Sequence, residues 1–157
     1  MSKKIYIATD HAGYEMKDFV KELVKSLGHK IVDLGPNSAD RVDYPDFAKK
    51  CADAVMADKK SFGILICGTG IGISISANKV KGIRAALCHD SYTARLAREH
   101  NDANILCFGE RVVGKGIIAD MIKVFASTEF EGGRHAGRVG KIEACSLGAD
   151  LDNKTEI

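Results

Sequence analysis

The sequence lacks most of what would tie it to an export route, a membrane, a disulfide framework or a nucleic acid. Its five cysteines (Cys51, Cys67, Cys88, Cys107 and Cys145) are odd in number, widely spaced and form no CxxC pair. That excludes the usual disulfide and zinc-site patterns and favours a reducing cytoplasm. No apolar run nears the roughly 20 residues that span a bilayer. The early run Ile5-Tyr6-Ile7-Ala8 is too short, and too soon broken by Asp10, to be the core of a signal peptide. Neither export nor membrane insertion is expected. Charge of one sign is missing too: 23 Lys plus Arg against 21 Asp plus Glu leave +2, without the basic excess of a nucleic-acid binder. Internal repeats and low-complexity stretches are absent.

What remains is a chain of 157 residues, 45% hydrophobic and 28% charged, the composition of one globular domain over 1–157. A chain of this length buries about 68–70% of its unfolded surface, so its stability needs no disulfide or structural metal. Short apolar runs predict five strands, at 5–9, 31–34, 62–67, 83–88 and 104–108. Between the first two, Met16, Phe19, Val20, Leu23, Val24 and Leu27 fall on one helical face before Gly28. Pro45 suits a first helical turn, and Phe47, Ala48, Cys51 and Val55 give the next helix its stripe. Further helices are expected over 91–100, around Ile117 to Phe125, and over 134–147 after Gly132-Gly133, with a frayed tail from about 149 to 157. Strands apolar nearly throughout, each followed by a helix, require a parallel sheet covered on both faces. The expected fold is therefore α/β, a three-layer doubly wound sandwich with a five-stranded parallel sheet and a C-terminal helix.

Ligands of such sheets sit beyond the carboxyl ends of the strands. There the sequence offers Asp10-His11-Ala12-Gly13 after the first strand, Cys67-Gly68-Thr69-Gly70-Ile71-Gly72 after the third, and Gly109-Glu110-Arg111 after the fifth. Alternate glycines at a helix start bare backbone N–H groups that attract an anion. A tight turn without a ligand fits the same pattern equally well, and neither the GxGxxG fingerprint nor a Walker lysine is present. Cys67 adds weight, because a helix N-terminus lowers a thiol pKa from about 8.5, making Cys67 a candidate base or nucleophile. Cys88 and Cys107 read as small core hydrophobes. Thr69 adds a hydroxyl donor and joins Cys67 among the catalytic candidates, although a solvent-facing loop threonine is the plain explanation.

His29 and His89 read as surface or strand-edge residues, whereas His11, His100 and His135 are more informative. His100 lies at a helix C-terminus, which favours the imidazolium of a proton donor, with Asn101 placed as the left-handed cap. A partly buried histidine satisfied by a carbonyl is the plain alternative. A helix returning to the next parallel strand ends on the rim opposite Cys67, so His100 reaches Cys67 only from a second subunit. The expectation is a two-fold dimer with shared sites. Arg134 and Arg138, four apart, would with Arg111 grip a phosphate through bidentate bonds, unless they merely solvate a helix face.

Together the segments beginning at Ala8 (ATDHAGYEMK), Asp33 (DLGPNSADRVDYPDFA), Cys67 (CGTGIGISISANK), Arg98 (REHNDANILCFGERVVG) and Gly133 (GRHAGRV) closely resemble the type B ribose-5-phosphate isomerases. That family includes the lactose-operon galactose-6-phosphate isomerase subunits, and the resemblance runs through nearly the whole chain. It implies a Rossmann-like aldose-ketose isomerase with no metal or organic cofactor, working as a homodimer or a dimer of dimers. By matching motif it makes Cys67 the proton-abstracting base and His100 the ring-opening acid. Asp10 and His11 would contact sugar and phosphate, 68–72 (Gly68, Thr69, Gly70, Ile71, Gly72) would form the anion hole, and Asn101, Arg111, Arg134 and Arg138 would complete the substrate and phosphate contacts. One branch of the family places a carboxylate where this chain has Ile73, a departure that strengthens the case for Cys67. Ribose 5-phosphate is the first substrate expected, an allose or galactose 6-phosphate the second. A Cys-His-Asp hydrolase built from Cys67, His100 and Asp10, and a nucleotide-binding or receiver-like regulatory module, are the readings from other classes.

Overall fold

The computed structural model describes residues 1–147, so the expected tail at 149–157 lies outside the described residues. Five parallel strands, β1 (Lys4–Thr9), β2 (Lys30–Asp33), β3 (Phe62–Cys67), β4 (Ala85–Leu87) and β5 (Ile105–Gly109), form one sheet in the order β2-β1-β3-β5-β4. A 3₁₀ turn at Tyr14–Met16 leads into α1 (Lys17–Ser26), and α2 (Tyr44–Ala57), α3 (Ile71–Ala77), α4 (Ser91–Asn101), α5 (Lys115–Ser127) and α6 (Arg134–Cys145) follow. The expected three-layer α/β sandwich with a closing helix is the one observed.

The central strands β3 and β5 are buried at every position, which is why they show no polar alternation. Alternate side chains serve two cores. On one face Ile7, Ile64, Ile66, Leu106 and Phe108 meet Val20 and Val24 of α1 and Met121, Ile122 and Phe125 of α5. On the other, Ala8, Leu65, Cys67, Ile105 and Cys107 meet Ala48, Cys51 and Val55 of α2 and Ile73 and Ala77 of α3. Register pairs Thr9 with Ile66 and Cys67 with Gly109, so β1, β3 and β5 end side by side.

Besides one-residue shifts at the ends of β1, β2 and β5, three boundaries differ from expectation. The edge strand β4 is shorter than 83–88, because a turn ends at Ile83, whose N–H reaches the Val80 carbonyl, and the Arg84 amide donates to the Asn104 side chain. The last helix stops at Cys145 instead of 147. Asn101 is still helical, and Asp102 takes the left-handed position at φ 45°. Asp102 wins that place because its carboxylate lies against two guanidinium groups, Arg98 at 2.9 Å and Arg84 at 3.4 Å. The same arginines cover carbonyls that α4 leaves open. Arg84 Nε donates to Asn101 and Asp102, and the buried Arg98 donates to Ala103 while its guanidinium lies 4.6 Å from the Phe62 ring centroid.

The end of β2 is held beside the Asp10 rim by charge. The buried Lys17 ammonium donates to Asp33 at 3.0 Å and to the Pro36 carbonyl, Lys21 donates to the other Asp33 oxygen at 3.0 Å, and Thr9 N–H meets the Gly35 carbonyl. Burial alone would raise the Asp33 pKa; the Gly35 amide and the ammonium groups of Lys21 and Lys17 outweigh it and hold the carboxyl below its ordinary range. A group whose folded pKa is depressed stabilises above its unfolded pKa. This contribution is therefore complete above about pH 4 and lost as pH falls through the lowered value. Asp33→Asn should cost about 2 kcal/mol by urea unfolding at pH 7, a buried-pair loss discounted for partial exposure. It should also flatten the acid limb of the stability–pH curve; an unchanged curve would contradict the assignment.

Candidate active site

Where β1, β3 and β5 end, a cleft of about 500 Å³ opens, lined by Asp10, His11, Tyr44, Cys67, Thr69 and Arg111 among others. Asp10 is buried and accepts through Oδ1 from the amides of Ala12 (2.9 Å) and Gly13 (3.1 Å), which fixes its carboxylate at the start of the turn. His11 Nδ1 lies 3.1 Å from the Val42 carbonyl oxygen and 3.3 Å from the Val42 amide, tying the ring to the segment before α2.

Cys67 ends β3 with its Sγ accepting from the Gly70 amide at 3.1 Å. The sulfur is thus used as an acceptor, the role a proton-abstracting base requires. The bond depends on Gly70, which sits at φ 80°. An ideal Cβ there would lie 2.6 Å from Leu87 Cδ1 and 2.7 Å from the Phe108 carbonyl carbon. Thr69 Oγ1 accepts from the Ile71 amide at 3.2 Å. Among the described residues, the amides of Gly68, Thr69 and Gly72, all lining the cleft, donate to no protein acceptor. Arg111 completes the rim: its amide donates to the Gly68 carbonyl at 3.1 Å, and its guanidinium lies against Gly68.

Two features escape a reading of the sequence alone. The Tyr44 ring, at the first residue of α2, packs over Gly72. Ile71 and Ile75 form an apolar lip, 51% and 55% exposed. Their spacing of four was the available signal, since it puts both on one side of α3.

The remaining candidates gather elsewhere. His100 and Asn101 end α4, and Arg134 and Arg138 are exposed on the first turns of α6. None of these lines the Cys67 cleft. Between the two groups runs β5, from Ile105 near Asn101 to Gly109 beside Cys67, roughly 13 Å at the usual rise per strand residue. Here the His100 ring lies on His135, centroids 4.1 Å apart and planes 11° from parallel, with Glu131 Oε2 at 4.0 Å from His100 Nε2 and 3.3 Å from His135 Nε2. This trio holds potential metal ligands within 4.8 Å of one another. With the two rings parallel, however, no ion can lie in both ring planes at a bond length of about 2.0–2.1 Å.

Burial sets the chemistry of three further thiols. Burial pushes Cys51 up to about 12, and its Sγ donates to the Tyr6 carbonyl. Burial likewise takes Cys88 to about 11 and Cys107 well above the usual thiol range. Alkylation of the folded protein at pH 8, followed by peptide mapping, should therefore leave Cys51, Cys88 and Cys107 unmodified while the exposed Cys145 reacts. Labelling of any of the three before unfolding would contradict the buried, protonated assignment.

No helix among the described residues is long and apolar enough to cross a membrane. Comparison with known proteins agrees with this geometry. The sequence profile described as Ribose/Galactose Isomerase matches residues 5–142. A putative sugar phosphate isomerase of Bacillus subtilis is 51% identical over 140 residues, covering 88% of this chain and 94% of that protein. Ribose-5-phosphate isomerase B of Escherichia coli is 44% identical over 142 residues, 90% of this chain and 95% of that one. The structure of ribose-5-phosphate isomerase B from Clostridium thermocellum superposes with a TM-score of 0.90 at 52% identity, covering 92% of this chain and 98% of that chain. Neither the hydrolase nor the regulatory-module reading is favoured by these relatives. With a profile match over most of its length and relatives of this identity and coverage, the chain belongs to the ribose/galactose isomerase family.

Proposed function

We propose that the protein interconverts the aldose and ketose forms of a phosphorylated sugar, ribose 5-phosphate and ribulose 5-phosphate, without a metal or organic cofactor. The observation that carries the reading is the Cys67 sulfur held as an acceptor, in a cleft it shares with unpartnered amides of the same loop. The family relatives named ribose-5-phosphate isomerase B support the five-carbon substrate. The five free cysteines suit a reducing cytoplasm.

In this mechanism His100 protonates the furanose ring oxygen as the C1–O bond breaks and the C1 hydroxyl releases its proton to solvent, giving the open aldehyde. The Cys67 thiolate takes the proton from C2, and the electron pair moves toward the C1 oxygen to form an enediolate. The amides of Gly68, Thr69 and Gly72, with the Thr69 hydroxyl, meet that charge. A well-placed donor of this kind contributes about 3–4 kcal/mol to the barrier reduction. Return of that proton from the Cys67 thiol to C1, with the O2 hydroxyl proton passing to O1, yields the ketose. The phosphate takes no part in bond making, so Arg111, Arg134 and Arg138, with His11, use it for positioning, while Asp10 and Asn101 orient the sugar hydroxyls.

Base and acid belong to opposite rims of one chain, so the complete site is assembled from two copies related by a two-fold axis. The partner copy supplies His100, Asn101, Arg134 and Arg138. The exposed Ile71 and Ile75 beside the cleft suit such an interface.

Cys67→Ala should reduce ribose 5-phosphate isomerisation at least about a thousandfold while calorimetry still detects sugar-phosphate binding. Lost binding, with normal turnover of whatever still binds, would refute the base assignment. When Cys67→Ala and His100→Ala chains are unfolded and refolded together, random pairing makes half the dimers mixed, each with one intact site. About a quarter of wild-type activity should therefore return. No recovery would sink the shared site. The same coupled assay, run on five- and six-carbon sugar phosphates, decides the chain length; higher kcat/KM on a six-carbon ester would overturn the pentose assignment.

A further inference from the structure

His135 is an anomaly in its helix. It is 5% exposed, on the inward side of α6, yet its buried Nε2 has no hydrogen-bond partner. A leucine would fill the same space without leaving a polar atom unsatisfied. What the imidazole offers instead is a flat face, and the His100 ring lies on it, centroids 4.1 Å apart and planes 11° from parallel.

We infer that His135 is a positioning residue for His100, a platform whose flat face fixes the plane of the ring-opening imidazole. The inference rests on the proposed role of His100 as that acid. Three observations support the arrangement as a built one. First, the loop before α6 is shaped for it. Gly132 and Gly133 both take positive φ, 66° and 53°, and the Glu131 amide donates to the Glu99 carbonyl at 3.0 Å, pinning the loop to α4. An L residue at either glycine would resist that reversal. Second, the reversal puts Glu131 and His135, four apart, on one imidazole: the carboxylate oxygen is 4.0 Å from His100 Nε2 and 3.3 Å from His135 Nε2. Third, the two rings differ in their surroundings. Burial, then the His100 ring and the guanidinium groups of Arg134 and Arg138, hold His135 below the ordinary histidine range, while Glu131 works the other way. The His100 ring, by contrast, is 34% exposed and free to meet a sugar, with the flat His135 face beneath it.

Because His100, Glu131 and His135 come from one chain, the acid reaches its partner's cleft already oriented. Its platform is not part of the cleft that holds the base.

Ring opening can be read apart from C–H chemistry. An enzyme that opens the furanose also speeds exchange between its α and β anomers, which exchange NMR on ribose 5-phosphate measures directly. In a Cys67→Ala background, which lacks the base, anomer exchange should remain accelerated, and adding His100→Ala should remove the acceleration. Adding His135→Leu should reduce it at least tenfold with sugar-phosphate binding within threefold by calorimetry. His135→Phe, which keeps the flat face, should restore it to within about threefold. In the otherwise wild-type enzyme, His135→Leu should also displace the acid limb of the kcat–pH profile, which a purely structural change would leave in place. Unchanged exchange in His135→Leu, or loss of exchange together with binding in both His135 variants, would overturn the inference. If the Cys67→Ala enzyme gives no acceleration, or if His100→Ala does not abolish it, the role of His100 fails instead, a result distinct from failure of the platform.

Discussion

A parallel sheet has a direction, and that direction governs everything this chain does. Each strand delivers its following loop to one rim, and each helix returns the chain to the other. Cys67, Asp10 and Arg111 follow strands and share one rim, whereas His100 and Asn101 end the helix before β5 and lie at the opposite one. The length of β5 stands between them. No side chain spans that distance, so the proposed chemistry, which needs an acid and a base on adjacent sugar atoms, takes its two halves from two chains. On that proposal dimerisation is part of the active site and not merely a source of stability.

Each half is stiffened by its own device. On the side of the proposed base, Cys67, the tight turn at Gly70 brings an amide onto the sulfur and leaves neighbouring amides unpartnered. On the side of the proposed acid, Arg84 and Arg98 hold the last carbonyls of α4 and the Asp102 carboxylate, fixing the helix end that carries His100. Both devices place charge or donors before any ligand arrives, which is the preorganisation that electrostatic catalysis draws on.

The legible parts of this structure were those with a one-dimensional signature. Unbroken apolar runs gave β3 and β5, because a strand covered on both faces has no polar side to show. The glycine loop after Cys67 marked the rim because alternate glycines leave amides bare. The illegible parts depend on partners distant in sequence. The edge strand is short because Asn104 takes the Arg84 amide, and the cap falls on Asp102 because two arginines favour its carboxylate over the Asn101 amide. The Tyr44 ring over Gly72 and the stack of His135 on His100 join residues from different elements, and no local period announces such contacts. His100 and His135 were each conspicuous in the sequence, but their pairing was not.

The dependence of turnover on assembly tests the central claim most directly. Specific activity toward ribose 5-phosphate, measured over a dilution series alongside the dimer fraction from analytical ultracentrifugation, should fall in proportion to that fraction and vanish for the monomer. A monomer that turns over at the full rate per chain would contradict the account.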